Sequence, residues 1–305
     1  MYLFLPIAGN CINVLIPLGL GALVGFLSGM FGVGGGFLMT PLLMMVGIPP
    51  TVAAASDSCQ IAAASASGSF AHARMGNVDY KLGGLMLIGG ITGGAIGVQI
   101  IKIVRLMGNA EFLIGLTYVI VLASIGSYMF LESLRAIRGT APRRTASHGP
   151  SRFVRFLAAL PFQTDFTKSG IRHSIFVPIA LCMLVGILAA IMGVGGGFIM
   201  IPAMVYLLRM PMHVAVGTDL FQILFTSSGV TLMQAVVNHT VDLVLALVLA
   251  LGSTIGAQFG ARIARRLRGE QLRIILSVIV LVVCLKMIYG LVATPAVLLS
   301  LAGGH

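Results

Sequence analysis

"GMFGVGGGFLMTP", residues 29–41, and "AIMGVGGGFIMIP", residues 190–202, are one run written twice in the same chain. Glycine is less favourable than alanine in a helix interior by about 1 kcal/mol, so each copy breaks the apolar sequence around it. A shift of 161 residues lays Gly32 to Phe37 on Gly193 to Phe198 and Pro41 on Pro202. A shift of 162 pairs Ser56-Asp57 with Thr218-Asp219 and Gln60 with Gln222. A shift of 163 pairs Val78-Asp79 with Val241-Asp242, and Gly93 and Gly97 with Gly256 and Gly260. One unit has been duplicated.

The chain of 305 residues is 58% hydrophobic and only 9% charged, with a mean hydropathy of +1.06, whereas roughly a quarter of the residues of a soluble domain are charged. This is the composition of an integral membrane protein. Apolar runs fall at about 13–31, 34–48, 51–71, 82–101, 111–131, 175–192, 195–208, 213–237, 241–261 and 274–292. The reading is an all-α membrane fold with five segments in each copy: a repeat over 1–132, a polar basic linker over 133–174, and a second repeat over 175–305. The opening "MYLFLPIAGNCINVLIPLGL" has no basic start and is expected to stay as a membrane segment rather than be cleaved.

Five segments are an odd number, so the second copy should sit upside down relative to the first, and loop charge supports this. The net charge is +11, but 8 of the 19 Lys and Arg lie between Arg135 and Arg172, and Arg262, Arg265, Arg266, Arg268 and Arg273 share one loop. These basic loops mark the cytoplasmic side and argue against a nucleic-acid partner. Counting from them, Arg74 and Lys81 fall inside and Lys102 and Arg105 outside. The corresponding loops of the second copy carry the opposite bias, with no Lys or Arg at 238–242. Two inverted repeats with both termini outside and the linker inside the cell are the expected arrangement in a plasma (inner) membrane, an architecture common among secondary transporters.

Residues 34–47 and 195–208 are short for a span, since 14 residues make roughly 21 Å of helix against a hydrocarbon core of about 30 Å, and the loop charges fit a pair of spans as well as a re-entrant hairpin. Broken or re-entrant helices are expected there. Irregular backbone at membrane depth persists only where protein or a water-filled cavity surrounds it. Gly34, Gly35, Gly36, Gly195, Gly196 and Gly197 are therefore candidates for an anion cradle, each turn opening a helix whose free N–H groups favour negative charge. The alternative is close helix packing through small residues, which Gly93, Gly97, Gly256 and Gly260 also suit.

At this point the chain resembles the TauE/SafE family of sulfite and organosulfonate transporters. The likeness rests on "GVGGGFLMTP" and "GVGGGFIMIP", on "AAASDSCQ" and "AVGTDLFQ", and on "GSTIGAQFGARIARRLRGEQLR". It covers about 16–131 and 176–292 and leaves out the linker. It implies movement of a small anion, of the sulfite, sulfonate or organosulfur class.

The third segment of each repeat is unusually polar, and polar groups in a membrane face the bundle interior. Ser56 and Gln60 lie on one helix face, and Thr218 and Gln222 repeat the pattern; these four are candidate substrate-binding residues. Asp57 and Asp219 are either N-caps, as Ser/Thr-Asp at a helix start suggests, or proton carriers coupling transport to a gradient; the two roles are compatible. Cys11, Cys59, Cys182 and Cys284 are scattered and read as packing residues, and neither a metal site nor a cofactor is expected. Two other functions compete: an intramembrane enzyme with Ser227 or Ser228 as nucleophile and His239 as base, and a scaffold subunit that transports nothing. Neither explains paired polar helices and paired glycine breaks, and no catalytic residue is assigned. One chain is large enough for a whole pathway, so a homodimer is optional.

Overall fold

The computed structural model describes residues 2–31, 36–108, 110–137, 162–166, 168–208, 210–264 and 269–292. Within these lie ten α-helices and four short strands. A hairpin of β1 (Tyr2–Leu5) and β2 (Asn10–Asn13) precedes α1 (Leu15–Phe31), α2 (Gly36–Met45), α3 (Pro50–Arg74), α4 (Tyr80–Leu106) and α5 (Ala110–Ile137). A second hairpin, β3 (Gln163–Phe166) and β4 (Ile171–Ser174), precedes α6 (Phe176–Met192), α7 (Gly197–Pro202), α8 (Met212–Met233), α9 (Leu243–Ala264) and α10 (Gly269–Val292). The chain is helical as expected, and among the described residues four helices are long and apolar enough to cross a membrane: Tyr80–Leu106, Ala110–Tyr128, Met212–Asn238 and Leu243–Gly260.

The hairpins were not legible in the sequence. Both are antiparallel, and the second lies inside the interval read as linker, at the same 161-residue offset from the first that relates the glycine runs. Each launches the helix that follows. The Asn13 side chain accepts from the Leu15 N–H at 3.1 Å, and the Ser174 hydroxyl accepts from the Phe176 N–H at 3.4 Å. Pro17 and Pro178 then occupy the first turn, where no intrahelical N–H is needed.

The second glycine run does break the helix. Helix α6 ends at Gly193, in the left-handed region at φ 75°, and Gly195 and Gly196 follow at φ 71° and 86°; only glycine takes these values without strain. Helix α7 has six residues and passes at Pro202 into a π-turn over Ala203–Leu207. Its counterpart α2 has ten, about 15 Å of helix. Helix α3 is longer, with 25 residues, yet too polar to rank as an apolar span; Ser56, Asp57, Ser58, Gln60, Ser65 and Ser69 along it are all buried in protein.

Helices of one half pack on helices of the other: α1 on α9, α4 on α6, α3 on α8 and α5 on α10. Small residues make the contacts. A Cβ on Gly25 would stand 2.2 Å from the Ser253 carbonyl oxygen, one on Gly256 2.0 Å from that of Ala22, and Gly89 and Gly93 lie as tightly on Ile179 and Met183. Residue numbers rise together along α1 and α9 and along α4 and α6, so these pairs are parallel. Along α3 and α8, Gly68 meets Leu220 whereas Gly217 meets His72 and Asn77; these run in opposite directions. So do α5 and α10, where Gly126 meets Val280 and Cys284 meets Val119. The starts of α1, α3 and α9 share one end of the bundle, and the starts of α4, α6 and α8 the other. Ile88, Ile96 and Ile103 of α4 and Leu247, Leu251 and Phe259 of α9 face outward, an apolar surface suited to lipid.

Candidate functional site

The two phenylalanines that end the "GVGGGF" runs meet at the centre. The rings of Phe37 and Phe198 stack with centroids 4.3 Å apart and planes 9° off parallel, and both are buried. They belong to one apolar cluster that includes Val52 and Ala53 of α3, and they are equivalent by sequence, one from each copy.

Of the predicted glycines, Gly34 and Gly35 lie outside the described residues. Gly36 opens α2, and a Cβ there would stand 2.1 Å from the Ile61 side chain and 3.1 Å from the Val194 carbonyl oxygen. Gly195 lies under Ile61 and Ile223, themselves equivalent residues, and Gly196 against Val185; Gly197 is the buried first residue of α7. The second turn is thus closely wrapped by protein. Within this turn Gly193 is the tightest, its missing Cβ falling 2.2 Å from the Ala54 carbonyl oxygen.

The four candidate polar residues are all buried, and three of them tie the halves together. The Ser56 hydroxyl accepts from the Asp242 N–H at 3.0 Å, and the Thr218 hydroxyl accepts from the Asp79 N–H at 3.0 Å. The Gln60 amide donates to the Ser253 hydroxyl of α9 at 2.7 Å. The fourth, Gln222, donates within its own helix to Thr226 at 2.8 Å. The difference has a local cause: Gly90 stands where the repeat would match Ser253, and its backbone presses on Gln222 and Thr226, so that a Cβ would come within 2.5 Å of both.

Asp57 and Asp219 are not N-caps. Each is the eighth residue of its helix, two turns past starts at Pro50 and Met212, because the prolines at 49–50 and 211 start these helices earlier than the Ser/Thr-Asp pattern suggested. The capping aspartates of this fold are Asp79 and Asp242, which accept from the N–H of Leu82 and Leu245 at 3.1 Å each. Both buried aspartates remain inside the bundle, but they differ. Asp57 accepts from the Thr40 hydroxyl at 3.0 Å. Asp219 has Ile201 in the place of that threonine, and neither of its carboxylate oxygens has a hydrogen-bond partner in the protein. A buried carboxylate without a donor is costly, so a proton or a cation is the natural companion of this group.

Sequence reading missed Thr40, Tyr118 and Ser253. Tyr118 is fully buried and donates from its hydroxyl to the Met192 carbonyl at 2.6 Å, closing the carbonyl end of α6. None of the three is duplicated, so the repeat could not point to them. The enzyme alternative lacks geometry: Ser228 donates to the Leu224 carbonyl one turn back at 2.7 Å, and His239 follows the π-turn Gln234–Asn238, roughly 15 Å further along the helix axis.

Comparison with known proteins shows the family. The family model for the sulfite exporter TauE/SafE matches residues 17–287. The chain is 30% identical over 230 residues to the "Probable membrane transporter protein YunE" of Bacillus subtilis, covering 73% of this chain and 76% of that protein. It is 28% identical over 213 residues to a "Probable membrane transporter protein" of Xylella fastidiosa, covering 69% and 70%. A shorter stretch of 63 residues is 43% identical to "Sulfite exporter TauE/SafE family protein 6" of Arabidopsis thaliana, 21% of this chain and 13% of that one. No solved structure matches the chain.

Proposed function

The chain belongs to the sulfite exporter TauE/SafE family and is a membrane transporter, and on that premise we propose that it moves a small anion of the sulfite or organosulfonate class by alternating access. The observation that carries this reading is the pairing of α3 and α8: two polar helices, equivalent in sequence, buried face to face and running in opposite directions through an apolar bundle. Oppositely directed equivalents, here α3 with α8 and α5 with α10, are what inverted repeats produce. The second repeat then starts at its hairpin, residue 163, and the intervening basic segment is cytoplasmic, with both termini outside.

In this reading the anion binds between the glycine turns and the faces carrying Ser56, Gln60, Thr218 and Gln222. The Phe37–Phe198 stack parts to admit it, and hydroxyls and amides now bonded within the protein turn to the ligand. Asp219, with no partner in the protein, carries the coupling proton, and Asp57 is its restrained counterpart. The test is uptake by liposomes holding the purified protein, with labelled sulfite, an alkylsulfonate and sulfate supplied in turn. Saturable uptake of the first two supports the class. Uptake of none, by protein that remains folded, refutes transport of this class and favours the scaffold alternative.

A further inference from the structure

Each hairpin is fastened to the helix of the opposite half through one aspartate. At the second end, Asp79 Oδ1 caps α4, and Asp79 Oδ2 accepts from the Ser169 N–H at 3.2 Å and from the Ser169 hydroxyl. At the first end, Asp242 Oδ1 caps α9, and Asp242 Oδ2 accepts from the Ile7 N–H at 3.2 Å. The backbone N–H of each aspartate goes to Thr218 or Ser56, again across the two halves. A helix cap needs one side-chain oxygen. The second oxygen at each site serves the hairpin, and every bond it makes joins one half of the molecule to the other at one end of the bundle.

We propose that these are two latches, one at each mouth of the transport path, and that they are unequal. At the second end Ser169 adds a hydroxyl where the first hairpin has Ala8. Lys168 donates to the Val78 carbonyl at 3.5 Å and Lys81 to the Asp165 carbonyl at 3.4 Å, and their ammonium groups stand 5.7 and 5.6 Å from the rings of Tyr80 and Phe166. The equivalent positions at the first end are Ile7 and Val244, which can do none of this. Hydrogen bonds to a charged acceptor are the stronger kind, so the second mouth is held more firmly and the resting protein opens at the first. Rupture of one latch while the other holds gives alternating access a physical switch.

This rests on the transporter reading, but its test needs no substrate. In a cysteine-free chain, Ala53→Cys and Ala215→Cys place reporters at equivalent buried positions, one turn before Ser56 and Thr218 on the same helix faces. Labelling by an impermeant maleimide is timed from each side, in right-side-out and inside-out vesicles. The reporter at 53, from the first end, should label faster than that at 215 from the second, by about tenfold if the latches differ by one charged hydrogen bond. Asp79→Asn with Ser169→Ala keeps the cap and breaks the second latch, so labelling at 215 should rise about tenfold and labelling at 53 fall. Asp242→Asn, whose amide N–H would face the Ile7 N–H, should do the reverse. Ser169→Ala alone, the mildest change, should move the ratio in the same direction by a few fold if the double variant fails to fold. Equal changes at both reporters, or none, in folded protein would overturn the latches. Opposed shifts in a protein that moves no anion would sustain the latches and sink the proposed substrate class.

Discussion

Replacing Gly193 by alanine tests why the glycine run is there. Gly193 sits at φ 75°, where a side chain costs roughly 1–2 kcal/mol. Its Cβ would stand 2.2 Å from the Ala54 carbonyl oxygen and 2.5 Å from the Ala54 Cα. These are backbone atoms of α3, which give way only if the helix moves, and such overpacking costs about 1–3 kcal/mol. The sum, about 2–5 kcal/mol, is a large share of the about 5–15 kcal/mol that holds a typical fold. Gly47 isolates the strain, having φ 91° and no atom within 4 Å of a Cβ built there; Gly47→Ala should lose only about 1–2 kcal/mol. Gly195 falls between, because its Cβ would meet the Ile61 Cγ2 at 2.7 Å, the end of a side chain that can turn. Unfolding midpoints of the three purified variants in one detergent should therefore fall in the order Gly47→Ala, Gly195→Ala, Gly193→Ala. If Gly193→Ala unfolds together with Gly47→Ala, close packing against α3 is not what this glycine is for.

The other predictions concern transport and topology. Gly35→Val or Gly196→Val should abolish uptake while the protein stays in the membrane; normal substrate affinity in a well-expressed variant of either would remove the anion cradle. Asp219→Asn should lose accumulation driven by an imposed pH gradient yet keep exchange. Asp57→Asn, which can still accept from Thr40, should keep most of its accumulation; unchanged accumulation in both would move the coupling site elsewhere. Single cysteines at 148, 269 and 303 should divide, with only that at 303 labelled by an impermeant thiol reagent from outside. Labelling at 148 in intact cells would contradict the inverted arrangement.

The sequence reveals what is duplicated, and physical reasons set that limit. Glycine breaks, polar third helices and small-residue contacts are each written twice, so a shift of 161–163 residues exposes them without coordinates. The hairpins at 2–13 and 163–174 share almost no side chains, because backbone pairing makes a hairpin and tolerates nearly any residue between its turns. They surfaced only as structure, at the same offset. Asp57 and Asp219 look like caps because Ser/Thr-Asp is a capping pattern, yet prolines two turns earlier start both helices, and local chemistry yields to that earlier start. Thr40, Tyr118 and Ser253 act across long sequence separations and occur once each, which leaves periodicity nothing to find.

Duplication builds the frame, and in the proposed mechanism divergence between the copies gives it a direction. A symmetric inverted pair would present the same barrier to either side of the membrane and carry the same charge at both aspartates. Here Thr40 answers Asp57 while Ile201 leaves Asp219 unanswered. Ser253 holds Gln60 while Gly90 turns Gln222 back on its own helix. Lys81, Lys168 and Ser169 add hydrogen bonds at one end of the bundle where Val244, Ile7 and Ala8 stand at the other. Each difference falls at a contact between the halves or beside a buried carboxylate, the places where, in the proposed mechanism, a small energy would change which mouth opens or which site takes the proton. A few hydrogen bonds, each about 1 kcal/mol and more when the acceptor is charged, are enough to bias such an equilibrium tenfold, so in this mechanism direction can be set by a handful of substitutions while the helical frame stays as the duplication made it.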